Sequence, residues 1–326
     1  MLLSLRNLKV GLRGGDAPRE LVRGVSLDID TGEIVGLVGE SGSGKSLTAL
    51  SITRLLPAGI EILEGQTVLN GVDLGRLSDA ELHKLRGKEV GVIFQDPLTA
   101  LNPTLAIGAQ LVDVIRSRFD CSSKEARERA VAALRSVGIP MPERRMHAFP
   151  HQMSGGMRQR VLIAMVLIGT PKLILADEPT TALDVTTQSR IIKLLRGIQK
   201  SGNVAILFIS HNLDLVVEFC DRVVVMYGGR ILEEGSSAQI VAAPMHPYTK
   251  ALLNCIPRID GEQGPLRVIP GQPPANPGAI AGCPFAARCE RATAQCESEF
   301  PPPSSGDAGH RFHCWNPESP PRVSHA

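Results

Sequence analysis

The sequence predicts an α/β fold, and three observations carry that reading. Short β-branched and apolar runs alternate with helix-length stretches over residues 1–243. One run, 33–38, passes straight into a glycine-rich turn and then into a helical stretch from 45 to 56. Another, 173–176, is apolar throughout, as a strand buried on both faces must be, and it ends in Asp177 and Glu178.

Taken in order, residues 4–10, 25–30 and 33–38 read as strands, followed by the helix at 45–56 and a strand at 90–94. Residues 98–168 change character. Helical patterns at 104–118, 124–137 and 155–168 with little strand signal mark a mostly helical insertion. Strands return at 173–176, 204–209 and 222–227, with helices near 186–199 and 213–220 between them. Beyond Pro244 the composition shifts. The last 83 residues hold 15 of the 24 prolines and five of the seven cysteines, so 244–326 is expected to be an appended, loop-rich module.

Charge and hydropathy exclude several classes. Lys and Arg total 35 against 33 Asp and Glu, a net +2 that gives no support for general polyanion binding. The longest strongly apolar run, 161–168, is far short of the ~18 residues of a membrane span. Arg6 and Lys9 interrupt the place where a secretory signal keeps its apolar core. A cytosolic protein is expected.

Gly39-Glu40-Ser41-Gly42-Ser43-Gly44-Lys45-Ser46 fits the phosphate-loop pattern G-x-x-x-x-G-K-[ST]. Its glycines let backbone N–H groups turn toward phosphate oxygens, and the helix that follows adds its positive end. Lys45 supplies a charge for the β- and γ-phosphates, and Ser46 a hydroxyl for Mg²⁺. Asp177, at a strand end, can ligate Mg²⁺, and Glu178 beside it can act as general base on water. The competing reading, a solvated acidic loop after a core strand, loses weight because the phosphate loop lies upstream. Ser154 is a good N-cap, which is its plain structural role. The glycines after it, Gly155 and Gly156, form helices poorly and point to a close backbone approach, such as a phosphate at the helix N-terminus.

In this order the phosphate loop, Gln95 after an apolar strand, Ser154-Gly155-Gly156-Met157, Asp177-Glu178, Ala182-Leu183-Asp184 and an isolated His211 resemble the ATPase subunit of an ABC transporter over residues 1–243. The resemblance implies a P-loop NTPase fold of the ABC ATPase type: an antiparallel β subdomain, a helical subdomain at 98–168 and, in this chain, a small Cys/Pro-rich extension. It implies ATP and Mg²⁺ as cofactors, the ion held by Ser46, Gln95 and Asp177. Glu178, Gln95 and His211 would serve hydrolysis, His211 at the γ-phosphate. Ser154, Gly155 and Gly156 would contact the nucleotide of an opposite subunit, with Asp184 at the dimer seam. Adenine is usually stacked by an aromatic near the end of the first strand. Here the place is taken by Leu12, and no aromatic precedes Phe94.

The stretch Phe94-Gln95-Asp96-Pro97-Leu98-Thr99-Ala100-Leu101-Asn102-Pro103 resembles the oligopeptide/dipeptide/nickel importer branch, and Pro244-Met245-His246-Pro247-Tyr248-Thr249-Lys250-Ala251-Leu252-Leu253 resembles the start of that branch's C-terminal extension. That likeness implies import of peptides, with nickel or another small solute as the alternative. It also implies a second ATPase subunit (paralogue or self), two permease subunits, an extracytoplasmic solute-binding protein and a place on the cytoplasmic face of the membrane. A reading of another class is a soluble ABC ATPase acting on ribosomes or DNA. Those usually carry two such domains or a long coiled coil, and neither is visible here. Cys283, Cys289, Cys296 and Cys314, spaced C-x₅-C-x₆-C-x₁₇-C, suit zinc, an iron–sulfur cluster or free redox thiols. Resemblance to peptide importer ATPases with a similar pattern favours [4Fe–4S].

Overall fold

Leu3, Leu5, Leu8 and Val10 are all fully buried, yet they do not keep one alternation. A bulge at Asn7 (φ 47°) resets it between Leu5 and Leu8, and the strand continues to Leu12. In chain order the strands are β1 (Leu3–Leu12), β2 (Arg19–Ile29), β3 (Ile34–Val38), β4 (Ile60–Leu69), β5 (Val72–Asp73), β6 (Val90–Ile93), β7 (Leu173–Asp177), β8 (Ala205–Ser210), β9 (Arg222–Tyr227), β10 (Arg230–Ser236), β11 (Ser304–Ser305) and β12 (Arg311–Phe312). The computed structural model describes residues 1–14, 18–181, 183–256 and 268–318. They divide into two units, one built from Met1–Asp30, Ile34–Arg76 and the described part of Leu207–Ala326, the other from Thr31–Glu33 and Leu77–Ile206.

The first unit carries an antiparallel sheet in the order β2-β1-β4-β5, and a second sheet in which β11, β12, β10, β9, β3 and β8 follow one another. Every residue of β3 is buried, and β3 runs parallel to β9 from the Val35–Arg222 pair to the Val38–Val225 pair. The helix Leu213–Phe219 lies so close to β3 that a Cβ on Gly36 would sit 2.3 Å from Val216 Cγ1. The described residues beyond 244 belong to this unit. Its strand β12 pairs antiparallel with β10 through Glu233–Phe312. Glu233 is fully buried and satisfied: its carboxylate accepts the amides of Met245 at 2.7 Å and His246 at 2.8 Å, and lies 2.7 Å from His310 Nε2.

In the second unit β6 and β7 are parallel, from Val90–Leu173 to Ile93–Ala176. Helices Ile107–Arg118, Ser123–Ser136 and Gly155–Leu167 make up most of the insertion expected at 98–168. Ser123–Ser136 is capped by the Ser122 hydroxyl and buries Ala126, Ala130 and Leu134, one stripe at helical spacing. Helix Val185–Gly202 is capped by Asp184, and Asn203 in the left-handed region (φ 49°) follows it.

Candidate functional site

The phosphate loop joins β3 to the helix Lys45–Ile52 in the first unit. Gly44 caps that helix at φ 98° with no side-chain bond, so the helix N–H groups face the loop unblocked by a cap. Gly39 (φ 156°) is forced by crowding: a Cβ there would lie 2.0 Å from the carbonyl oxygen of Met226 in β9. Lys45 is almost wholly buried, and its ammonium turns back into the loop. It donates to the carbonyls of Gly39 at 2.7 Å and Glu40 at 2.9 Å, and to Ser43 Oγ at 3.2 Å. The loop thus gathers a fixed cation and a helix N-terminus in one concavity, the chemistry that a polyphosphate needs. Ser46 stands in the first turn of the helix, and Leu12, at the end of β1, is exposed.

Glu40 ties this loop to the C-terminal extension, a link that the sequence does not announce. Its amide donates to the Tyr248 hydroxyl at 2.9 Å, and its carboxylate accepts from Arg288 Nη1 at 2.8 Å. The same Nη1 lies 2.9 Å from the Tyr227 hydroxyl. The rings of Tyr227, Tyr248 and Phe285 pack together with centroids 4.7 to 5.4 Å apart. Burial pushes the Tyr248 phenol far above its usual range, so the hydroxyl is neutral at any physiological pH.

In the second unit Asp177 is buried at the end of β7, and Glu178 follows it in the left-handed region at φ 46°. Gln95 Nε2 donates to Glu178 Oε2 at 3.1 Å, and Thr181 Oγ1 donates to the same oxygen at 2.8 Å. Two expected residues prove to be helix caps. Ser154 Oγ accepts from Met157 N at 3.3 Å, and Asp184 Oδ1 from Thr187 N at 2.9 Å. The bonds from Thr187 hold the Asp184 carboxyl below its ordinary range. Gly156 has a reason within the chain: a Cβ there would be 2.3 Å from Thr187 Cγ2. Gly155 is less crowded, with Leu183 Cδ2 3.4 Å from its Cβ position. Ala182 lies outside the described residues. His211 follows β8 in the first unit and is exposed.

Cys283, Cys289, Cys296 and Cys314 line a single small pocket, with His246, Arg291, Trp315 and Asn316 among its other walls. All four are free thiols. Burial pushes the Cys283 thiol up to about 12 and the Cys314 thiol up to about 11. His246 is buried and held near 3 by desolvation, hence neutral. Its Nδ1 accepts from Tyr248 N at 3.0 Å, so the ring proton sits on Nε2, 3.9 Å from Cys283 Sγ. Among the described residues, no group of three or more His, Cys, Asp or Glu side chains is set to hold a metal ion.

A strand–glycine loop–helix with a buried lysine, and a buried strand ending in Asp177-Glu178, define an ATP-binding P-loop protein of the ABC ATPase fold. The chain belongs to the ABC transporter family. Residues 22–181 match the ABC transporter family model, and residues 232–296 match the oligopeptide/dipeptide transporter C-terminal region. It is 44% identical over 326 residues to the dipeptide transport ATP-binding protein DppD of Bacillus subtilis, covering 100% of this chain and 97% of the relative. It is 43% identical to the oligopeptide transport ATP-binding protein OppD of Haemophilus influenzae, covering 96% and 97%. Among solved structures it resembles the ATP-binding cassette MJ0796, described as a dimer in a post-hydrolysis state bound to ADP and Pi. The TM-score there is 0.65 at 29% identity, over 72% of this chain and 99% of that one. No helix among the described residues is long and apolar enough to cross a membrane.

Proposed function

We propose that this chain is the ATP-hydrolysing subunit of an importer of di- and oligopeptides, working at the cytoplasmic face of the membrane. The observation that carries the substrate class is full-length similarity to relatives named for dipeptide and oligopeptide transport. The loop amides of 39–46 and Lys45 bind the phosphates of ATP, and Ser46 offers Mg²⁺ a hydroxyl. Asp177 and Gln95 are the further Mg²⁺ ligands. Glu178 takes a proton from the attacking water, giving ADP and phosphate. Gln95 and Thr181 both donate to its carboxylate, which supports that role. His211 contacts the γ-phosphate, and Leu12 gives adenine an apolar contact.

Ser154, Gly155 and Gly156, with Asp184, serve the nucleotide of a second ATPase chain, either a copy or a paralogue. Two permease subunits and an extracytoplasmic binding protein complete the importer. The four cysteines line one pocket, and likeness to peptide importer ATPases with a similar cysteine pattern favours a [4Fe–4S] cluster there, with zinc as the alternative. Such a cluster would cross-link an extension with little apolar content, and no step of hydrolysis passes through it.

Uptake in cells tests the substrate. A strain lacking this gene should lose uptake of a radiolabelled dipeptide and regain it with the wild-type gene but not with Glu178→Gln. Loss of nickel uptake with peptide uptake intact would replace the peptide reading by the nickel one. Unchanged uptake of both, with the protein sedimenting on ribosomes or DNA, would move it to the soluble class.

A further inference from the structure

We propose that Arg288 is a positioning residue for nucleotide binding: it neutralises the Glu40 carboxylate inside the phosphate loop, which makes the C-terminal extension part of the ATP site. The inference rests on the loop being that site. Glu40 places a negative charge within a loop that must receive several more from the phosphates of ATP. Like charges brought together in a partly desolvated loop repel appreciably. Arg288 meets this charge directly, with Nη1 2.8 Å from Glu40 Oε2.

The guanidinium is also locked in place. Only 7% of its side chain is exposed. Nε donates to Pro270 O at 2.8 Å, Nη2 to Ile269 O at 3.1 Å, and Nη1 also to the Tyr227 hydroxyl at 2.9 Å. An arginine held on three sides by fixed acceptors cannot swing to solvent when the loop fills, so the neutralisation persists in the loaded protein. Tyr248 supports the same arrangement from the other side, because its hydroxyl takes the Glu40 amide and fixes where the carboxylate begins. Glu40 and Arg288 are 248 residues apart, so the phosphate loop is complete only when residues beyond 244 are folded against it. Arg288 closes the short turn Ala286–Arg288 and immediately precedes Cys289, one of the four cysteines that line the pocket.

The test is equilibrium binding of a fluorescent ATP analogue with Mg²⁺ to the full-length protein. Arg288→Gln is expected to weaken binding roughly tenfold, since it uncovers a partly buried charge beside the phosphates. Glu40→Gln alone should bind more tightly than wild type, because it removes a negative charge from the loop and leaves the Arg288 cation in place. Glu40→Gln combined with Arg288→Gln should return to within about threefold of wild type, because the uncovered charge is gone. A residue that merely packs the extension would leave the double variant as weak as Arg288→Gln, and that result would overturn the proposal, as would unchanged binding by Arg288→Gln. Should Arg288→Gln not fold, Arg288→Lys, which keeps the charge but loses the guanidinium's fixed bonds, should bind at least about threefold more tightly than Arg288→Met, and equal binding by the two would overturn the proposal. If wild-type protein does not bind, or Lys45→Ala binds equally well, the reading of the loop itself fails. That outcome is distinct from a failure of Arg288 alone.

Discussion

The side-chain amide of Gln95 donates to Glu178 Oε2 at 3.1 Å, and joins the end of the β6 segment to the residue after β7. Thr181 donates to the same oxygen at 2.8 Å, while the Glu178 backbone occupies the left-handed region at φ 46°. A non-glycine residue held there costs on the order of 1–3 kcal/mol and persists only where its neighbours over-determine it. The carboxylate is therefore held in one orientation by its surroundings, which supports the proposed base role.

Glu178→Gln follows from that geometry. The amide keeps the size and can still accept from Gln95 or Thr181, but it cannot take a proton from water. Phosphate release should fall by about a hundredfold or more, with ATP affinity within a few-fold of wild type. Phosphate release near the wild-type rate would remove Glu178 from the base role.

Gly156→Ala tests why two glycines open the helix Gly155–Leu167. The new methyl would meet Thr187 Cγ2 at 2.3 Å, so the variant should be less stable by about 1–3 kcal/mol in denaturant unfolding. Adding Thr187→Ser removes the clashing methyl and keeps the hydroxyl, and it should restore most of the loss. A Gly156→Ala protein as stable as wild type would show that the crowding is relieved without cost.

The cysteine pocket makes a prediction by colour. Protein purified without oxygen should be brown, with broad absorption near ~400 nm and iron and sulfide in a ratio of about one to one. Cys289→Ser should bleach it and loosen the extension. Colourless protein with one equivalent of zinc would replace the cluster by a single ion, and no metal at all would leave four thiols.

What could be read from the sequence was the local part of this molecule. The phosphate loop is a contiguous octet with its own backbone demands, and Asp177-Glu178 closes an unbroken apolar strand, so both are visible without neighbours. The antiparallel sheet was harder. β4 spans Ile60–Leu69 but carries Glu61, Glu64, Gly65 and Gln66 on an exposed surface, which hides its alternation. β2 begins at Arg19 rather than near 25: Val22 and Arg23 are buried, but Arg19, Glu20 and Arg23 put charge into the run and Gly24 interrupts it. Gly156 was legible as a close approach, but the approaching group within this chain is Thr187, 31 positions on in sequence. Arg288 and Tyr248 were not legible at all. Their partner Glu40 lies more than 200 residues earlier, and nothing local marks an arginine in a proline-rich stretch as a partner of the phosphate loop.

ATP hydrolysis coupled to peptide delivery tests the central claim most directly. The chain would be reconstituted in proteoliposomes with the permease and partner ATPase subunits of the proposed importer, and phosphate release measured with the binding protein empty or loaded with a dipeptide. The account predicts that the loaded binding protein stimulates hydrolysis, that labelled peptide is transported, and that Glu178→Gln abolishes both. Hydrolysis indifferent to the loaded binding protein and the permease, yet raised by ribosomes or DNA, would contradict it.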